Sequence, residues 1–299
     1  MCNGQDIGLS YALRRKASVY LEVQVNERIA DNILAAGFIP DILFLQIQND
    51  QIGNLNTVDL LRDIVKDLKS KGCKVINWNG DIRGPFPHWM VQLNPTVNAF
   101  ANMRDVNACA NGKFLQIGID HKIFKDWKLP KTKGVVFMAN HYGSMFPEGQ
   151  RRMEVARVIK RKFGATIYGT GWPKEITDIN LMPDPKNPIP KQSEESKVYN
   201  ASKIAINHSH FDIERYTSDR LFRCMASKVM VVSHHYKGIE YDFEVDKHLV
   251  TYKSMPEMEE KIRHYLDNDD EREIIALAGY KHVHKNFRYE HMAENILKL

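Results

Sequence analysis

Arg215, Arg220 and Arg223 fall close together in the stretch RYTSDRLFRCMASKVMVVSHHYKGIEYDF, residues 215–243. Tyr216-Thr217-Ser218 supplies hydroxyls of the kind that open helices. Leu221, Phe222 and Met225 then repeat at helical spacing, and Val229-Met230-Val231-Val232 is a β-branched run of strand length that turns at Lys237-Gly238. A helix start offers free N–H groups and the positive end of a dipole, and guanidiniums add charge-assisted donors. At the carboxyl edge of a parallel sheet this pattern suits a diphosphate. Arginines at helix starts also serve ordinary ion pairs, so the spacing points to an anion without naming it.

Other residues have chemistry in reach. Asp81 and Arg83 lie in Asn77-Trp78-Asn79-Gly80-Asp81-Ile82-Arg83-Gly84-Pro85, just past a strand, and are candidates for an acceptor-side site. Asn140-His141-Tyr142-Gly143-Ser144 ends another strand, where loops touch phosphate or sugar and where His141 has the type to be a base or donor. Gly169-Thr170-Gly171-Trp172 has two glycines that let backbone approach a ligand, and Trp172 has a ring that can stack on a base. It lacks the third glycine of a dinucleotide fingerprint. The pairs His208/His210, His234/His235 and His282/His284 match neither a helical zinc pair nor a finger, so no metal site is expected. A P-loop and a GxSxG elbow are both absent, which argues against a P-loop kinase and a serine hydrolase.

These residues need strands and helices to hold them. Residues 41–48 read as a buried strand, Val58, Leu61, Val65 and Leu68 as a helix face closing at Lys71-Gly72, and residues 74–78 as a second strand. Strand, helix and strand at this spacing make a right-handed βαβ unit with a parallel sheet. Residues 114–118 read as the last strand of that half, and the polar stretch 125–134 as a linker. A second alternation has strands at 135–139, 165–168, 203–207, 229–232 and 249–252. Its helix faces carry Met153, Ala156, Ile159 and Phe163, then Met258, Ile262, Tyr265 and Leu266, with further helices near 270–284 and 289–298. The four prolines of 182–193 predict a loop. The expectation is an α/β chain of two Rossmann-like, doubly wound domains, 1–130 and 131–285, with 286–299 a closing helix.

At 299 residues, 43% hydrophobic and 26% charged, the chain has globular values and room for such domains. Its net charge of +5 suits an anionic ligand and is weak support for nucleic acid. Cys2, Cys73, Cys109 and Cys224 are scattered, which fits a reducing cytoplasm, and no run is long enough to span a bilayer.

The second half resembles the GT-B-fold glycosyltransferases, and within them the spore-maturation-protein-like enzymes of bacteria and phages. The resemblance is carried by Phe137-Met138-Ala139-Asn140, Phe146-Pro147, Arg151-Arg152 and Tyr168-Gly169-Thr170-Gly171-Trp172. It continues through Ser202–Asn207, Thr217–Arg223, Gly238–Phe243, Tyr265-Leu266, Gly279-Tyr280 and Phe287-Arg288-Tyr289. It implies a nucleotide-diphosphate sugar as co-substrate on the second domain, a hydroxylated acceptor on the first, a cleft between them, and no metal or other cofactor. Asn140, Tyr142, Gly143, Gly171, Trp172, Asn207, Arg215, Thr217, Ser218, Asp219, Arg223 and Glu240 are then donor-binding, and Asp81, Arg83 and Arg220 catalytic. Many relatives carry a ribose-binding glutamate where Arg223 stands and a glycine where Lys228 stands, so ribose recognition passes to Asp219 or Glu240. The acceptor classes are a glycan, protein or small molecule. Two alternatives are a phage-type enzyme acting on a hydroxymethylated DNA base, suggested by Arg14-Arg15-Lys16, Arg151-Arg152 and Lys160-Arg161-Lys162, and a non-catalytic nucleotide-sugar-binding protein.

Overall fold

The computed structural model describes residues 8–22, 31, 33, 35, 37–46, 55–81, 84–86, 88–177 and 188–299. They form two compact units, Met1–Ile117 with Tyr289–Leu299, and Gly118–Arg288.

The first unit contains helix α1 (Gly8–Arg14), strand β1 (Ile42–Gln46), helix α2 (Leu55–Ser70) and strand β2 (Lys74–Asn79). Helix α3 (His88–Gln92), strand β3 (Val97–Phe100), helix α4 (Met103–Asn107) and strand β4 (Gly112–Phe114) follow. The sheet is parallel in the order β1-β2-β3-β4. Alternation along β2 splits the core: Val75 joins Val58, Leu61 and Val65 of α2, whereas Ile76 and Trp78 join Met292 and Ile296 on the opposite face. Those two belong to the last helix of the chain (Tyr289–Lys298), which also packs on α1. The strand expected at 114–118 ends at Phe114, and β3 had no separate place in the sequence reading.

The second unit holds β5 (Lys133–Met138), α5 (Gly149–Phe163), β6 (Thr166–Tyr168), α6 (Pro188–Asn200), β7 (Ser202–Asn207) and α7 (Asp219–Ala226). It continues with β8 (Met230–His234), β9 (Val250–Tyr252), α8 (Met255–Asp267) and α9 (Asp269–Asn286). The closing helix at 289–298 is α10. The sheet is parallel, ordered β6-β5-β7-β8-β9, so the chain reverses direction across the sheet between β5 and β7. Such a reversal opens a crevice at the carboxyl ends of its strands. Helices α5 and α8 bury Val155, Ala156, Ile159, Met258 and Ile262 against the sheet. Helix α7 packs on α9, and its Phe222 meets Phe243 and Phe287 with ring centroids 5.6 and 5.0 Å apart.

Two expectations are corrected here. The loop expected over 182–193 gives way to α6 from Pro188 onward. Prolines in a first helical turn cost little, because the N–H groups they lack have no intrahelical partner there. The linker expected over 125–134 is bonded into the second unit. Trp127 donates to Ser196 at 3.0 Å, the Leu129 N–H donates to Asn200 at 3.0 Å, and Lys131 donates to the carbonyls of Asn200 and Lys228, both at 2.8 Å. Burial pulls the Lys131 ammonium down to about 8.

Glycines draw the β5 and β6 loops together. Gly171 has φ +78°, and a Cβ there would lie 1.9 Å from the carbonyl oxygen of His141. Gly143 has φ +60° and open space around it. Both alanine variants carry the ~1–2 kcal/mol cost of a left-handed backbone, but only Gly171→Ala adds a clash. Gly171→Ala is therefore expected to lower the melting temperature by several degrees more than Gly143→Ala, measured by thermal unfolding.

Candidate anion site at the strand ends of the second unit

The three arginines of the 215–223 stretch have separate fates. Arg215 forms a two-pronged pair with Asp242, at 3.4 and 3.0 Å. Arg223 pairs with Asp219 at 2.7 Å and with Glu195 of α6 at 3.4 Å. Among the described residues Arg220 forms no such direct ion pair, with Asp219 and Glu195 acting on it only through space, and its buried Nη1 has no hydrogen-bond partner. The cluster expected from spacing thus reduces to one arginine.

A second arginine joins it from elsewhere. Arg152, near the start of α5, is 1% exposed. Its Nη1 donates to the carbonyl of His208 at 2.6 Å, while Nε and Nη2 are buried without partners. Arg152 and Arg220 both lie over the ring of Phe137, at 5.4 and 6.0 Å from its centroid. Burial, and then the like charge of Arg220, push the Arg152 pKa well below its ordinary value. Two adjacent guanidiniums with buried, unused donors are costly unless an anion completes them. Arg152 was quoted in the sequence only as part of the resemblance and of a basic cluster. A signal was present, because it sits three and four residues before Val155 and Ala156 and so falls on the core stripe of its helix.

Histidines line the same place. His210 carries a buried Nε2 without a partner, and burial followed by the charges of Arg152 and Arg220 lowers it to about 2. His141 is 9% exposed with its Nδ1 unpartnered, and burial, Arg152 and Arg157 lower it as well. Tyr142 is half exposed and lies against His210, with ring centroids 5.2 Å apart. Its hydroxyl accepts from Asn140, whose Oδ1 in turn takes the Thr170 N–H at 3.0 Å. Gly143 opens the adjoining turn (Gly143–Met145). Asn140, Tyr142 and Gly143 thus lie around His210, on which the charge of Arg220 also acts.

Several expected donor contacts have structural duties instead. Trp172 is 7% exposed, donates to the carbonyl of Ala139 and stacks on His141 at 4.8 Å, so its ring is packed rather than open to a base. Gly171 is a glycine because the His141 carbonyl leaves no room for a side chain, which makes the close approach intramolecular. Thr217 is 1% exposed and its hydroxyl meets that of Tyr236 at 2.7 Å. Ser218 stands at the N-cap of α7 without capping it, because its hydroxyl donates to Asn207 at 3.1 Å. Asn207 spends its amide on Ser233 at 2.9 Å. Glu240 is exposed, 3.8 Å from His235. Lys228, in the glycine position of many relatives, takes the left-handed φ of +56° that a glycine takes freely, and Asp126 holds its ammonium at 2.9 Å.

In the first unit, the Asp81 N–H donates to Asn79 Oδ1 at 3.3 Å, and Arg83 lies outside the described residues. Among the described residues no group of three or more His, Cys, Asp or Glu is placed to hold a metal ion, and no helix is long and apolar enough to cross a membrane. Basic clusters are partly neutralised: Lys16 pairs with Glu294 and Lys162 with Glu259, and Arg151 lies 3.8 Å from Glu148.

Two units on parallel sheets, the second doubly wound and the first with its strands in sequential order rather than doubly wound as expected, match the GT-B fold in comparison with solved structures. A sucrose-phosphate synthase from Thermosynechococcus elongatus superposes with TM-score 0.62 at 9% identity, covering 91% of this chain and 76% of its own. A glycosyltransferase from Rickettsia africae gives 0.61 at 13% identity, covering 96% and 85%. Anabaena HepE in complex with UDP-glucose gives 0.59 at 11% identity, covering 86% and 78%. A family model described as glycosyl transferase-like matches residues 151–298. No curated protein matches the chain.

Buried neutral histidines tie stability to pH. His141, His208, His210 and His234 are all lowered first by burial. The unfolded chain takes up protons on these side chains near pH 6.5 while the folded chain does not. Stability is therefore full above that pH and falls below it, by up to ~1.4 kcal/mol per pH unit for each histidine. Melting temperature measured from pH 7.5 to 5 should fall steadily, and the His210 ring should remain neutral at pH 4 by NMR.

Proposed function

We propose that this chain is a nucleotide-sugar-dependent glycosyltransferase, moving a hexose or pentose from a nucleotide diphosphate to a hydroxyl of a glycan, protein or small molecule. The carrying observation is the pair Arg152 and Arg220, with unfilled donors at the carboxyl ends of β5 and β7. A sugar leaving a nucleotide diphosphate transfers negative charge to the phosphate oxygens. Donors fixed in a low-dielectric site stabilise that charge without reorganising, at ~3–4 kcal/mol for one well-placed donor. The proposal gives the role to guanidiniums rather than to a metal ion. Arg223 and Arg215 support it indirectly, since their carboxylate partners are spent on them.

HepE, whose structure contains UDP-glucose, supports a uridine nucleotide as the first donor to try. Asp81 keeps its place in the proposal as the acceptor-side base if the reaction inverts the sugar carbon. The narrower likeness to the spore-maturation-protein-like enzymes belongs to the same proposal. Acceptance of modified duplex DNA has no specific support, because the basic clusters that suggested it are partly ion-paired.

The test is UDP release from UDP-sugars by the purified protein. Arg220→Ala and Arg152→Ala are each expected to cut turnover 10²–10³-fold. Arg215→Ala should act mainly through melting temperature. Wild-type protein that neither binds nor turns over any nucleotide sugar overturns the reading, and so does turnover indifferent to both arginines.

A further inference from the structure

A cavity of about 400 Å³ opens in the first unit, within the ~300–1,000 Å³ of small-molecule pockets. All five residues of β1, Ile42 through Gln46, line it. This strand is at the edge of its sheet, so the cavity runs along a border that folded proteins normally cover. The facing walls come from Leu9 and Leu13 of α1 and from Ile296 and Leu297 of α10. Val19, Leu21 and Phe38 also line it while remaining exposed, so they stand at its rim. Apolar walls and an apolar rim favour an apolar occupant over water.

Polar groups converge at one place on this lining. Ser10, Tyr20 and Glu22 reach it together, and the Ser10 hydroxyl donates to Glu22 Oε1 at 3.0 Å. The Tyr20 hydroxyl is held above its ordinary value, first by burial, with Ser10 and Glu22 both close enough to act on it. Glu22 is the one charged side chain among the described residues of the lining. Its carboxylate accepts from several donors and repels an anionic head. Arg14, over the Tyr20 ring at 5.4 Å from the centroid, opposes a cationic one. A hydroxyl is neutral and donates to the carboxylate.

Size and backbone narrow the choice further. At ~30 Å³ for a group the size of water, the cavity takes about thirteen such groups, enough for an aliphatic chain of about ten carbons with its head. A polypeptide strand laid beside β1 fits less well. Its outer N–H and C=O groups would face the leucines of α1 and α10, which offer them no hydrogen bond. We infer that this cavity is a binding site for a single-chain aliphatic alcohol, its chain along β1 and its hydroxyl at Ser10, Tyr20 and Glu22. The site shares no residue with the arginine site of the second unit, so the inference stands apart from the glycosyltransferase reading.

The experiment is calorimetry on the full chain at neutral pH, with hexanol, octanol, decanol and decanoate as probes. Affinity is expected to rise about fourfold for each methylene that enters the cavity, with a negative heat-capacity change. Decanol should bind at least about tenfold tighter than decanoate, a difference of ~1.4 kcal/mol. Ala17→Trp brings a bulky ring into the lining from an exposed position and should weaken decanol by about tenfold or more. Glu22→Gln should close much of the gap between decanol and decanoate. Melting temperature confirms that both variants are folded. Arg220→Ala should leave decanol affinity unchanged, which separates this inference from the proposed function. The inference is overturned by the lack of saturable decanol binding, by decanol affinity indifferent to Ala17→Trp, or by a decanol–decanoate gap that is missing or survives Glu22→Gln.

Discussion

A buried arginine and a partly buried one close to it shape the second unit. Arg152 and Arg220 flank one phenyl ring, and the contacts that hold Arg152 are a carbonyl and that ring rather than a carboxylate. A carboxylate partner would have made the site more stable and less able to bind. The neighbouring arginines show the contrast, since Arg215 and Arg223 each have an acidic partner within 3.4 Å. Histidines kept neutral beside the pair avoid adding a third and fourth positive charge. Under the proposed function, the diphosphate of a nucleotide sugar is the anion that meets the unused donors of Arg152 and Arg220.

That arrangement requires loops packed more tightly than side chains permit. The stretch after β5 and the stretch after β6 meet backbone to backbone, with the His141 N–H donating to the Thr170 carbonyl at 2.9 Å. Gly169 and Gly171 make this approach possible, because a Cβ at either would fall about 2 Å from a carbonyl oxygen, 2.1 Å from that of Ala139 and 1.9 Å from that of His141. Trp172 then closes the floor by stacking on His141. Trp172, read from sequence as able to stack on a base, instead helps build the wall on which His141 is carried.

Much of the fold was legible because hydrophobic period and strand composition act locally. The apolar runs at 41–48 and 229–232 and the helical spacing of Val58, Leu61 and Val65 are local signals. Helix α6 was hidden because prolines announce a break, while their tolerance in a first turn depends on where the turn falls. The site was half legible. Arg220 could be singled out from its helix start. Arg152 and His210 were passed over as partners for it, because their meeting depends on β5 and β7 lying side by side in the sheet, which no short window reveals. The failure with Thr217, Ser218 and Asn207 is of the opposite kind: hydroxyls and amides at a helix start suit a ligand and suit one another equally well, and here they bond among themselves.

The last helix has a consequence for how this chain comes into being. Met292, Ala293 and Ile296 are buried in the first unit, although the whole second unit is synthesised before them. Met292 and Ile296 each contribute roughly 1.5–3 kcal/mol of burial, so the half that leaves the ribosome first is also the half that matures last. Until residues 289–298 arrive, Ile76 and Trp78 have an unfilled face, and the nascent chain must carry it while the other unit folds.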